Sequence, residues 1–288
     1  MSMIPEWAIG TNPFHRMVNR ATTKLWERQW RLNYEVNKLA LPASVSLDSL
    51  ICEDPQAIAV VAGAGPSLDE NLAELSGLVG ADFFCTDKAY PKVVEYLDPK
   101  YVLAAHPKSP DDVQKWWNAG DTTKSTLIMP LIADPIYLKD WKGSYCLFNG
   151  STPTTLTQQI INETGLEPIN MGYNVGFLGY LLAPRLGYNR VVLLGMDFSF
   201  RTREEARNQQ DGDFYLIIEY PEKDGKPRWA NWGWFDTTIA FFEYARFFAK
   251  RGVKTYNCTN GGIIYDGEYI EEMTVKEAEV ALRKPWTG

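Results

Sequence analysis

Histidine is the rarest chemistry-bearing residue in this chain, with two copies in 288 residues, and that excludes a His-rich metal centre. Cysteine is almost as sparse. Cys52, Cys85, Cys146 and Cys258 stand far apart with no C-x-x-C pair, and the last three sit in or beside apolar runs. They read as buried free thiols of a reducing cytoplasm. Positive charge is in deficit: 29 Lys and Arg against 36 Asp and Glu leave a net charge of -7. A nucleic-acid backbone or an acidic membrane is therefore a poor main partner, although a local basic cluster stays open. No apolar run approaches transmembrane length, and no signal peptide opens the chain, so a cytoplasmic protein is expected. The hydrophobic share of 45% suits a globular chain with ample core.

The stretch Ala57-Ile-Ala-Val-Val-Ala-Gly-Ala-Gly-Pro-Ser-Leu-Asp-Glu-Asn71 organises the rest. Its small and β-branched residues make the pattern of a central strand buried on both faces. Gly63 and Gly65 permit a tight turn, Pro66 has a fixed φ suited to a helix start, and Ser67 with Glu70 has the spacing of a capping box. Strand, glycine turn and helix N-terminus together form a cradle that attracts phosphate. The plain alternative is that the glycines serve the turn alone. A Walker loop is excluded because Pro66-Ser67-Leu68 follows Gly65, and the dinucleotide fingerprint fails because Leu68 stands where its third Gly belongs.

Residues 1–50 read as an N-terminal helical extension, with a helix from Arg16 to Leu39. Leu25, Leu32, Val36 and Leu39 share a stripe, and Trp26 and Trp30 lie one turn apart. Such a helix packs on its own domain or serves a membrane surface or partner. Residues 51–270 read as a Rossmann-like, doubly wound, mainly parallel α/β domain. Strands are expected at Ala57–Ala62, Asp82–Thr86, Lys100–Ala105, Thr126–Met129, Ser144–Phe148, Arg190–Leu194 and Val253–Tyr256. The helices between them are expected at Ser67–Val79, Tyr90–Leu97, Asp111–Asn118, Pro153–Thr164, Val175–Leu186 and Trp234–Lys250, with Pro184 kinking or ending the fifth. Phe200 to Trp232 breaks the alternation with a long, charged, aromatic connection. It reads as a lid or insertion carrying Arg201, Arg203, Tyr215, Trp229 and Trp232 toward an anionic substrate. Residues 271–288 hold a C-terminal helix.

In an open parallel sheet, ligands bind beyond the carboxyl ends of the strands. That places Gly63, Ala64, Gly65, Pro66 and Ser67, then Asp87, His106, Asn149, Ser151, Thr152, Asp197, Asn257 and Gly261 around one expected crevice. Each has a plain alternative as a helix cap, a turn former or an ordinary loop residue. Asp197 is the hardest to dismiss, because a carboxylate at a central strand end is costly unless used or satisfied.

Gly63-Ala-Gly-Pro-Ser-Leu68 resembles the Gly-x-Gly-Pro-Ser-Leu signature of the family that includes the motility-associated flagellin glycosyltransferases (Maf) and the archaeal 6-hydroxymethyl-dihydropterin pyrophosphokinases (MptE-like). A similar turn occurs in bacterial sialyltransferases that use CMP-sialic acid. Cys85-Thr-Asp-Lys-Ala-Tyr90 resembles the family's second strand end. Asn174-Val-Gly-Phe177 with Arg190-Val-Val-Leu-Leu-Gly-Met-Asp-Phe198 resembles its Gly-rich helix and following strand, and Asn257-Cys-Thr-Asn-Gly-Gly262 its closing turn. The resemblance runs from about Ala57 to Gly262 and implies a nucleotide-binding transferase. Pyrophosphokinases of this kind hold magnesium and ATP with an Asp-x-Asp type cluster after the third strand. Here that strand ends Ala104-Ala-His-Pro107, with no acid before Asp111. The expectation is therefore glycosyl transfer from a CMP-activated, sialic-acid-like donor, with Asp197 or His106 as base and metal dependence open. Diphosphoryl transfer from ATP with magnesium is the alternative. A non-catalytic nucleotide-binding protein, with the Trp-rich segment as an interaction surface, is a second. The acceptor is open, and so is a homo-oligomer.

Overall fold

The computed structural model describes residues 13–285 other than 79, 110–111, 209–216, 222–226 and 266. Among the described residues nine strands form one sheet, and every pairing along it is parallel. The central strand is β1 (Ile58–Ala62). On one side of it lie β2 (Asp82–Thr86), β3 (Tyr101–Leu103), β4 (Thr126–Pro130), β5 (Ser144–Gly150) and β6 (Pro168–Ile169) in sequence order. The chain then crosses back to lay β7 (Arg190–Leu194) against the other edge of β1. A two-stranded excursion follows, β8 (Ile217–Pro221) and β9 (Pro227–Asn231), before β10 (Lys254–Asn257) and β11 (Ile270–Glu272) complete the sheet. This is the doubly wound α/β arrangement, and its direction of winding reverses between β1 and β7.

The strands form where apolar residues run without alternation, because both sheet faces are covered. Val60 and Ala62 face one buried layer, whereas Ala59 and Val61 face the other. The second layer is capped by α7 (Val175–Arg185) and α9 (Trp232–Ala249). Every residue from Gly176 to Ala183 is buried, and Pro184 stands one residue before the last of the helix. Cys85, Cys146 and Cys258 are buried free thiols, and Cys52 is a half-buried one.

Several local expectations give way to tertiary contacts. The helix expected from Ser67 shrinks to α2 (Leu68–Asn71) and continues as a 3-10 stretch over Leu72–Leu78, and the end expected at Val79 lies outside the described residues. The helix expected over Tyr90–Leu97 is only α3 (Tyr90–Val93), and α4 spans Val113–Trp117. Unforeseen elements are α5 (Ile136–Lys139) and the edge strands β6 and β11, too short to show a period. The helix α6 (Thr155–Thr164) follows expectation. So does α10 (Val275–Leu282), whose capping box joins Thr274 and Glu277.

The first helix, α1 (Pro13–Asn37), uses a face that the apolar stripe does not mark. Leu25, Leu32, Val36 and Leu39 point outward, at 64%, 52%, 52% and 77% exposure. Trp30, Asn33, Tyr34 and Asn37 are buried instead. The amide of Asn33 donates to Pro107 O at 2.7 Å and Ile132 O at 2.9 Å, and that of Asn37 to Leu131 O at 2.9 Å and Ala133 O at 2.8 Å. Buried carbonyls demand donors, and two asparagines one helical turn apart supply them. Among the described residues, no helix is long and apolar enough to cross a membrane.

Candidate active site

The turn after β1 and the turn after β7 are built against each other. Gly63 N–H donates to Leu194 O and Gly65 N–H to Gly195 O, both at 2.8 Å. A Cβ at Gly65 would collide with the Asp197 carboxylate and the Gly195 carbonyl, so the glycine is needed for this contact between turns. Gly195 turns the chain with a φ of +59°, and Phe198 follows Asp197 at +49°, a left-handed conformation uncommon for a bulky residue. This sharp turn folds Asp197 back over Ser67.

Asp197 is 3% exposed. Ser67 Oγ donates to its Oδ2 at 2.7 Å and Ser67 N–H to the same oxygen at 3.3 Å. The sequence expectation for Ser67 is thus corrected: no side-chain cap forms, because its hydroxyl and N–H serve a carboxylate 130 positions away. No hydrogen bond to Oδ1 is present among the described residues. Burial pushes the Asp197 carboxyl up to about 6, against the opposing pull of the Ser67 hydrogen bonds and of Arg228 and Arg201.

The turn after β10 joins the same place. Thr259 Oγ1 accepts from Met196 N–H at 3.2 Å, and Ile263 N–H donates to Asp197 O at 2.9 Å. Asn257 shapes this turn from within, donating to Ile264 O at 2.6 Å while its Oδ1 accepts from Thr259 N–H at 3.1 Å. Gly261 is half-buried beside it. The structure therefore brings Gly63, Ala64, Gly65, Pro66, Ser67, Asp197, Asn257 and Gly261 together, with Ala64 exposed at the rim.

The other candidates follow other strands, and the strand order corrects the single crevice expected from the sequence for Asn149, Ser151 and Thr152. Asp87, after β2, is 4% exposed and turned toward α5, where Tyr137 O–H donates to it at 2.8 Å; its own turn adds Lys88 N–H at 2.8 Å. His106, after β3, is exposed, edge-on to Trp26 with ring centroids 5.4 Å apart. Asn149 is the penultimate residue of β5, and Ser151 and Thr152 follow that strand, five strand steps from β7 and roughly 20–25 Å away at ordinary strand spacing. Asn149 donates to Leu166 O at 2.9 Å, Ser151 N–H to Ile169 O at 2.9 Å, and Thr152 N–H to Thr157 Oγ1 at 2.8 Å. These are the bonds of a helix entry and an edge strand.

A family model described as 6-hydroxymethylpterin diphosphokinase MptE-like matches residues 34–203. The chain belongs to the MptE-like family. The matched span holds β1 to β7 and both turns that enclose Asp197. The solved structure of a Maf glycosyltransferase from Magnetospirillum magneticum AMB-1 superposes with a TM-score of 0.57 at 17% identity. The overlap covers 78% of this MptE-like chain and 36% of that one, so the chain spans about a third of that protein's length. Identity this low speaks to the fold alone. No curated protein sequence matches the chain.

Most of the insertion of this MptE-like chain lies beyond the matched span. Phe200 and Trp229 exchange backbone hydrogen bonds of 2.7 and 3.2 Å, and Phe200 stacks on Trp234 at 4.5 Å. Between them, α8 (Arg203–Asn208) precedes the antiparallel β8–β9 hairpin. Arg201 reaches back to the glycine turn, donating to Pro66 O at 2.8 Å and pairing with Glu70. Arg203 is exposed, Trp229 is half-buried, the placement of Trp232 is described only for its backbone, and Tyr215 lies outside the described residues. Arg228 is the contributor that sequence reasoning missed. Its only cue in the sequence is a place beside Trp229, a tryptophan already singled out.

Among the described residues no three His, Cys, Asp or Glu side chains are placed to share an ion, and Asp111 lies outside them. Asp87 is committed to Tyr137, on the far side of β1 from Asp197.

Proposed function

We propose that this chain is a transferase that moves a glycosyl group from a CMP-activated, sialic-acid-like donor to an acceptor hydroxyl. The observation that carries the reading is Asp197: a carboxylate buried at the reversal of the sheet, one oxygen fixed by Ser67, with arginines of the insertion near it. A base with a pKa near 6 is ionised at neutral pH and still accepts a proton readily. In this reading Asp197 Oδ1 takes the acceptor's proton as the acceptor oxygen bonds to the anomeric carbon. The bond from that carbon to the donor phosphate oxygen breaks, and the phosphate leaves with the electron pair. Arg201 and Arg228 offset the charge that grows on it, a task suited to guanidinium groups. The insertion acts as the lid that brings them in, and the free buried thiols fit the cytoplasmic setting.

A second reading, diphosphoryl transfer from ATP with magnesium, rests on the description of the matching family. Thermal-shift measurements with CMP, UDP, GDP and ATP, each with and without magnesium, separate the two. Stabilisation by CMP without magnesium is expected. A shift with ATP that requires magnesium overturns the first reading for the second, and no shift with any of the four overturns both.

A further inference from the structure

The outward face of α1 carries more order than an accidental set of exposed apolar residues. Leu25, Leu32, Val36 and Leu39 recur at spacings of seven, four and three, the seam of a heptad repeat with leucine at one core position and valine at the other. Gln29 fills the remaining core position, and its amide is engaged by Asn33 of the same helix at 2.8 Å. At about 100° per residue, this seam lies on the side of the helix away from Trp30 and Tyr34, which bind the body of the protein. The body therefore leaves the seam open to a second helix.

The charges beside the seam select the partner. Arg28 is exposed and makes no ion pair among the described residues. Glu35, one heptad later on the same flank, pairs among the described residues only with Lys38 of its own helix, at 2.6 Å. The geometry points to a second copy of this chain as the occupant, its α1 running antiparallel along the seam. In the register that sets Leu25 against the second copy's Val36, and Leu32 against its Gln29, Arg28 meets the second copy's Glu35. The two-fold axis makes that contact twice. A parallel pair would set Arg28 beside Asn33, which each copy buries against its own body. An anionic membrane would call for a uniformly basic flank, whereas Glu35 sits in this one and the chain carries a net charge of -7.

Sedimentation velocity of the full chain across a hundredfold concentration range tests this. A monomer–dimer equilibrium is expected. Leu32→Glu with Val36→Glu should weaken it at least tenfold, and far-UV circular dichroism should stay unchanged, because both positions are solvent-facing. Arg28→Glu alone and Glu35→Arg alone should each weaken the dimer. The combined Arg28→Glu, Glu35→Arg variant should restore it, since the swap recreates both contacts. A wild-type chain that stays monomeric throughout overturns the proposal. A dimer indifferent to the seam variants, or one not restored by the double swap, does the same. So does binding to phosphatidylglycerol vesicles that the seam variant abolishes, which would assign the face to a membrane.

Discussion

Asp87, at the end of β2, and Asp197, beyond β7, stand on either side of β1 and are buried alike, at 4% and 3% exposure. Burial is the largest influence on both carboxyls and raises both. What lies against them differs. Asp87 is closed off by Tyr137 O–H and Lys88 N–H, a pair of donors inside the fold. Asp197 has one oxygen held by Ser67, and both Arg201 and Arg228 act on it from the insertion. On the proposed function, burial alone does not mark the working carboxylate. On that reading the mark is burial together with an oxygen that takes no hydrogen bond among the described residues and arginines that arrive on the insertion.

The largest effect expected from this contrast is on turnover. Asp197→Asn keeps the shape and the Ser67 contact but removes the basicity, and should lower kcat by roughly 10²–10⁴-fold with little change in donor affinity. Asp87→Asn should leave kcat within about tenfold. Steady-state kinetics on the two variants decide between them, and equal losses would erase the distinction.

Next comes pH. The Asp197 carboxyl rises from 3.8 unfolded to about 6 folded, so its contribution to stability is full below about pH 4 and is lost as the pH climbs through 6. Urea melts should show Asp197→Asn gaining on the wild type between pH 4 and 7, by at most about 3 kcal/mol. The wild-type kcat/KM should rise through a limb near pH 6, and the variant should lack that limb.

Smaller changes follow for the neighbours. Arg201→Gln should raise the donor KM about tenfold, the scale of one charge-assisted hydrogen bond. Glu70→Gln, which frees the same guanidinium, should lower it. Tyr137→Phe should cost about 1 kcal/mol in a denaturant melt and leave kcat unchanged, because it touches only the closed carboxylate.

Much of the sheet was legible in the sequence. Asp82–Thr86 and Arg190–Leu194 begin and end as expected, since a strand buried on both faces declares itself as an unbroken apolar run. The order of strands was not legible, and with it went the grouping of Asn149, Ser151 and Thr152 with Asp197. Sequence shows that each follows a strand end but not how many strands lie between. Ser67 misled because a local cap lost to a distant carboxylate. The seam of α1 misled because its buried face is held by the amides of Asn33 and Asn37, which no hydrophobic pattern reveals. Arg228 reaches the site only through the fold of the β8–β9 excursion, and nothing in its local sequence encodes that.

The return of the chain to the middle of its own sheet sets an order of assembly. β1 ends at Ala62, but the strand that covers its second edge begins only at Arg190. Until then a growing chain can pair β1 with β2 and build outward to β6, while the most apolar strand keeps one row of backbone donors and acceptors open. Closing that row joins residues more than a hundred positions apart, the kind of contact that slows folding. The same event lays Asp197 over Ser67. Closing the second edge of β1 and laying Asp197 over Ser67 are thus one step, and a chain halted before β7 has neither.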